Sequence, residues 1–179
     1  VLNQLARQYD LDYVAVVNSE PQTTGDEERF SLVTGSIGKV LPLFYCFGKE
    51  THASKPFEGL NSSLLFSQIE TLMEDNIELC DQALGEISPP PVNLSVKDLR
   101  TRYNITTPQV TVGYYNVFSM RRSVGEILDI LKNIARRAFE QAIADKRDKA
   151  QEYARLAGKD IPQDYWQPNV YTYDELYQA

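Results

Sequence analysis

Gln109-Val110-Thr111-Val112-Gly113-Tyr114-Tyr115-Asn116-Val117-Phe118-Ser119 is the stretch that decides the fold. β-Branched and aromatic side chains fill it, and these fit a pleated, half-buried surface, so it reads as a strand. Shortly after it, Ser123 and Glu126 have the spacing of a capping box, in which a hydroxyl and a carboxylate satisfy free N–H groups at a helix start. The helix that follows carries Ile127, Leu128, Leu131, Ile134, Ala135, Ala138, Phe139 and Ala142 on one face. Its continuation, Asp145 to Leu156, is strongly charged, and Gly158 suits a C-cap.

Working outward, Leu60 to Asn76 reads as a second helix, capped by Asn61 or Ser62, with Leu65, Ile69, Leu72 and Met73 on one face. Arg29 to Ser36 and Lys39 to Lys49 read as two strands joined at a Gly35/Gly38 turn. Pro89-Pro90-Pro91 predicts an extended loop running to about Thr107. Nearer the N-terminus, residues 2–9 read as a helix end, Tyr13 to Val17 as a strand of the type buried in a parallel sheet, and Gln22 to Glu28 as a polar loop. Val170 to Tyr173 reads as a short last strand before a helix opening at Asp174-Glu175-Leu176. The order β-β-α-(β)-β-α predicts an α+β fold, an antiparallel sheet with two helices on one face.

The chain has 179 residues with a formal net charge of −7, a size that suits one domain with short attachments. That charge repels phosphate backbones, so non-specific nucleic-acid binding is a poor fit. No apolar run approaches transmembrane length. Val1-Leu2-Asn3-Gln4 lacks the basic start of a signal peptide, and together with the missing Met it suggests a piece of a longer cytoplasmic protein. Cys46 and Cys80 are expected to be buried free thiols, and with a single His they cannot form a four-ligand zinc site.

Gly35-Ser36-Ile37-Gly38-Lys39 is not a phosphate loop, because only two residues separate its glycines and Val40 follows the lysine. On the long helix, Glu140, Asp145, Asp148 and Glu152 alternate with Lys146, Arg147, Lys149 and Arg155, the pattern of a solvated face. Arg121 and Arg122, after the strand, either meet a substrate carboxylate or are simply exposed, and the exposed reading is favoured. The informative run is Gly48-Lys49-Glu50-Thr51-His52-Ala53-Ser54-Lys55-Pro56-Phe57-Glu58-Gly59-Leu60-Asn61. It places the only His just past a strand, in a loop shaped by Pro56 and Gly59. A lone loop His is most often merely exposed; its functional form presents an imidazole from a rigid strand end to a ligand outside the domain.

This run, G-K-x-x-H-A-x-x-P-x-x-G-x-N, resembles the dimerisation (lid) domain of the zinc-dependent aminoacylase and deacylase peptidases, the family of acetylornithine deacetylase, succinyl-diaminopimelate desuccinylase and the glutamate carboxypeptidases. The wider wording around it, with CDQALGEISPPPVNLSVKDL and VYTYDELY, is similar to the arginine-utilisation (RocB-like) branch, and this likeness covers most of the chain. The resemblance implies that residues 1–25 are a remnant of a catalytic domain, 26–165 a ferredoxin-like lid, and 166–179 a segment returning to the catalytic domain. It implies a parent enzyme that hydrolyses N-acyl or peptide bonds with two zinc ions and dimerises through the lid. His52 would be the catalytic electrophile, Asn61 and Asn104 substrate contacts, and Glu20, after the strand YVAVV, a metal ligand. The family's other zinc ligands and its Glu-Glu base pair are absent, so the chain alone is expected to be inactive. The competing expectation is a stand-alone, non-catalytic interaction module.

Overall fold

The computed structural model describes residues 21–24, 27–30, 37–102, 104–161 and 166–178. The expected helix end at 2–9, the strand Tyr13–Val17 and Glu20 lie outside the described residues. The chain divides into two compact units, Val1–Gly38 and Lys39–Ala179.

In the first unit, β1 (Pro21–Thr24) pairs antiparallel with β2 (Glu27–Phe30), with Thr24 opposite Glu27. This corrects two expectations. The segment read as a polar loop is largely strand, and Arg29 and Phe30 pair with the chain before them rather than with Lys39–Lys49. The dipeptide between the two strands, Gly25-Asp26, is itself a two-residue hairpin signal.

The second unit is built on β8 (Val110–Ser119), the strand the sequence marks out. β4 (Leu43–Phe47) and β7 (Val92–Asp98) flank it, both antiparallel. β3 (Gly38–Val40) also pairs with β8. The expected single strand over 39–49 is therefore interrupted at Leu41-Pro42, where proline has no N–H to give a ladder. The Pro42 carbonyl nonetheless accepts the Tyr115 N–H at 3.2 Å, which keeps the chain on the edge of β8.

β7 fills the bracketed strand of the expected order, inside the stretch read as an extended loop. Val92-Asn93-Leu94-Ser95-Val96 alternates apolar and polar, and it pairs with β8 with a register shift between Asn93 and Ser95. Between α1 (Ser62–Met73) and β7 stands a small hairpin of β5 (Gln82–Ala83) and β6 (Glu86–Ile87).

α1 and α2 (Val124–Ala157) cover one face of this sheet. Thr111, Gly113, Tyr115 and Val117 of β8 are buried, whereas alternate residues are not. Tyr115 stacks on Phe66 at 6.3 Å between ring centroids and meets Phe44 edge-on at 5.8 Å, joining α1, β4 and β8. Ile127, Leu131, Ile134, Ala135, Ala138 and Ala142 of α2 complete the same core. Both halves of the Ser123/Glu126 capping box form, and Gly158 ends α2 in the left-handed region at φ 60°.

Chain order β4-α1-β7-β8-α2 with sheet order β4-β8-β7 is most of a split βαβ arrangement. The fold is α+β, as expected. Val170–Tyr173 is not a strand. Thr172 and Glu175 form a second capping box, with Thr172 N–H donating to the Glu175 carboxylate and Glu175 N–H to Thr172 Oγ1, and the helix expected to open at Asp174-Glu175-Leu176 does form, as α3 (Tyr173–Gln178). Lys132 of α2 pairs with Glu175 and holds its carboxyl down to about 2. Cys46 and Cys80 are buried and free, and burial pushes the Cys46 thiol up to about 12.

The opposite sheet face is apolar and open. Leu43, Tyr45 and Phe47 are 58–62% exposed, and the outer edge of β4 has no strand partner among the described residues.

Candidate functional site

The fourteen-residue run from Gly48 to Asn61 closes on itself, and Gly48, Pro56, Gly59 and Asn61 each answer a backbone demand. Lys49 and Leu60 form an antiparallel bridge, each donating its N–H to the other's carbonyl at 2.8 Å. This pairing brings the backbone so close that a Cβ on Gly48 would fall 2.0 Å from the Leu60 oxygen, and one on Gly59 2.5 Å from the Lys49 oxygen. Glycine at both positions is thus a steric necessity. Pro56 opens a 3₁₀ turn, Pro56–Glu58, where its missing N–H costs nothing. Asn61 caps α1, its Oδ1 accepting the Ser63 N–H at 2.9 Å.

His52 sits at the outer end of this closed loop and is exposed. Its segment bridges to Thr106: Ala53 N–H donates to Ile105 O at 3.0 Å, and Thr107 N–H to Thr51 O at 2.9 Å. Lys55 N–H turns back to His52 O at 2.8 Å. The ring has a defined partner as well. Ser54 N–H donates to Nδ1 at 3.2 Å, and Ser54 Oγ lies 2.7 Å from the same atom. A neutral imidazole whose Nδ1 accepts must carry its proton on Nε2. The loop therefore presents an exposed N–H donor from a pinned backbone.

Asn104 reaches the same neighbourhood. It lies two residues from Thr106, and its Nδ2 is 3.5 Å from Glu50 Oε1, which also accepts the Thr106 hydroxyl. Arg100 Nη1 donates to Thr106 O at 2.8 Å, while its Nη2 meets Asp98 at 2.7 Å and holds that carboxyl below its usual range. Glu50 and Arg100 escape a reading of the sequence because only the folded loop brings 50–52 to 104–106. Of the residues expected to touch substrate, the structure thus places His52 and Asn104 on adjoining loops and gives Asn61 a capping bond. Glu20 lies outside the described residues.

Arg122 is half-buried rather than exposed, its guanidinium donating to Leu79 O at 2.9 Å. Beside it, buried Asp81 accepts the N–H groups of Met120, Arg121 and Arg122 at 2.7–2.9 Å. Those bonds, from Arg122 and Arg121 above all, hold its carboxyl far below the usual range. This is a structural clasp between the β5–β6 hairpin and the start of α2.

Among the described residues, no group of three His, Cys, Asp or Glu side chains could hold a metal. No described helix is long and apolar enough to cross a membrane. An open groove of about 510 Å³ between α1 and α2, lined by Leu72, Glu74, Ile130 and Arg137 among others, includes no residue of the His52 loop.

No protein-family model matches the chain. It is 39% identical over 179 residues to the uncharacterized protein YqjN of Bacillus subtilis (strain 168), which covers 98% of this chain and 32% of that protein. It is 30% identical over 177 residues to protein RocB of the same organism, covering 97% of this chain and 31% of RocB. The chain spans about a third of the length of these curated relatives. It is related in sequence to RocB along nearly its whole length.

Proposed function

We propose that the chain is the lid segment of a longer zinc-dependent amidohydrolase of the RocB type, and that the parent cleaves the amide bond of a small N-acyl amino acid or peptide in arginine utilisation. In this reading residues 26–165 are the lid, and 1–25 and 166–179 its junctions with the catalytic domain.

The observation that carries the reading is the engagement of His52 Nδ1 by Ser54, which leaves Nε2 facing outward. With Nδ1 engaged by Ser54, Nε2–H is the free donor, which is what a developing oxyanion on an attacked carbonyl requires. A donor held ready in the ground state needs no reorganisation when charge develops, so its stabilisation is concentrated in the transition state. Asn104, whose Nδ2 lies 3.5 Å from Glu50 Oε1 on the adjoining loop, is read as a substrate contact in this proposal.

The described residues do not form a metal site, so no step assigned to this chain passes through a metal. Zinc belongs to the proposal for the parent, held by its remaining segments with Glu20 as one ligand. Dimerisation is proposed through this unit, supported by the exposed apolar side chains of Leu43, Tyr45 and Phe47 and by the edge of β4 that has no strand partner among the described residues.

The test is amine release from N-acyl-arginine and related N-acyl amino acids by the full-length parent. Hydrolysis abolished by a chelator and restored by zinc is expected. Absence of hydrolysis across such a panel, or hydrolysis insensitive to chelation, would refute the reading.

A further inference from the structure

The His52 loop is fastened on two sides. The strand-like bridge to residues 105–107 holds one of them. The other is held by α2, through a side chain whose surroundings in sequence suggest only a solvated face. Lys146 Nζ donates to the carbonyl oxygen of Pro56 at 2.5 Å and stands 5.3 Å from the centroid of the Phe57 ring. Phe57 packs in turn on Tyr153, two helical turns beyond Lys146 on the same stripe, at 5.4 Å between centroids. Lys146 is half-buried, and that burial lowers its pKa. A partly desolvated ammonium is costly unless it is partnered, and here a carbonyl and an aromatic face partner it.

We propose that Lys146 is a positioning residue for His52: by clamping the Pro56–Glu58 turn to α2, it sets where the imidazole points. The turn's own bonds, Lys55 N–H to His52 O and Glu58 N–H to Lys55 O, shape the loop but do not tie it to the helical layer. The inference rests on the reading of His52 as an electrophile. Oxyanion donors are sensitive to placement, and a displacement of about 1 Å can reduce turnover on the order of a hundredfold.

The test pairs Lys146→Met, which keeps the alkyl stem and helix propensity, with Lys146→Arg, which keeps a cationic donor. In the 179-residue chain, amide exchange at Lys55 and Glu58 should quicken about tenfold or more in Lys146→Met, with Lys49 and Leu60 unchanged, because only the outer turn is released. In the full-length parent, kcat should fall about tenfold or more with KM nearly constant, and Lys146→Arg should restore both readouts. Unchanged exchange at Lys55 and Glu58 would overturn the clamp. Quickened exchange with unchanged kcat, in a parent whose His52→Ala variant is impaired, would overturn the positioning role. A parent insensitive to His52→Ala would instead defeat the reading of His52, with exchange still deciding whether the clamp exists.

Discussion

Replacing Gly59 by Ala would set a Cβ 2.5 Å from the Lys49 carbonyl oxygen and 2.6 Å from Thr51 Cγ2. The threonine methyl can rotate away, but Thr51 Cβ, 2.7 Å from the added atom, moves only with its backbone, and the Lys49 carbonyl is main chain held by the Leu60 N–H at 2.8 Å. Relief therefore requires the 49–60 bridge to open, and with it the reciprocal bond from Lys49 N–H to Leu60 O, also 2.8 Å. Two backbone hydrogen bonds at a net 0.5–1.5 kcal/mol each amount to about 1–3 kcal/mol. Stiffening of the unfolded chain by Ala returns roughly 0.4–1 kcal/mol, which leaves a net loss centred on about 1.3 kcal/mol and reaching about 2.6 kcal/mol.

Gly125 provides the control, because there a Cβ would meet only Ser123 Oγ at 4.0 Å. It lies in the first turn of α2, where the same substitution should stabilise by up to about 1 kcal/mol. Urea unfolding followed by circular dichroism measures both, and amide exchange at Lys49 and Leu60 localises the first. Equal midpoints for the native chain and Gly59→Ala, with Lys49 and Leu60 still protected, would refute the account of the closed loop.

Asp81→Asn should destabilise by about 1.5–3 kcal/mol near neutral pH, the usual net worth of hydrogen bonds to a charged group. Because the folded carboxyl is depressed, its contribution is present above the unfolded Asp value of about 3.9 and is lost as pH falls below it, so the native chain should weaken in acid more steeply than the variant. Acid titration of the unfolding midpoint checks both statements. Tyr115→Phe should cost a similar 1.5–3 kcal/mol or so, since the fully buried phenol donates to Glu70, which Asn93 Nδ2 also meets at 3.0 Å. Burial first, then the bond to Glu70, raises the phenol's pKa, so this stability is complete below about pH 10 and is lost above it; unfolding between neutral and strongly alkaline pH should show Tyr115→Phe losing less.

What the sequence reveals here is what neighbouring residues decide among themselves. α2 is legible from Ser123 to Gly158 because a capping box, an apolar stripe and a left-handed terminus are all local chemistry. The same rule applies at the C-terminal end, where the equally local capping box of Thr172 and Glu175 opens the helix expected at Asp174-Glu175-Leu176, whereas the short strand read over Val170 to Tyr173 does not form. β8 is legible from composition, but its partners are not. Whether Glu27–Phe30 pairs backward with Pro21–Thr24, or whether Val92–Asp98 forms an edge, is settled by contacts distant in sequence.

The candidate site divides in the same way. Gly48, Pro56, Gly59 and Asn61 announce themselves because each answers a backbone demand within the loop. Glu50 meets Asn104 and Thr106 across more than fifty residues, and Lys146 reaches Pro56 across ninety. Lys146 in particular hides within a run of alternating charge, which reads correctly as solvated for most of its members.

The most direct test of the central claim is kcat of the full-length parent carrying His52→Ala, measured with zinc content and the unfolding midpoint held as controls. A fall of roughly a hundredfold or more at unchanged zinc and stability is predicted, with partial recovery in His52→Gln, because a single oxyanion donor is worth about 2.7–4 kcal/mol of barrier. Unchanged turnover in His52→Ala would contradict the account and leave His52 a structural loop histidine.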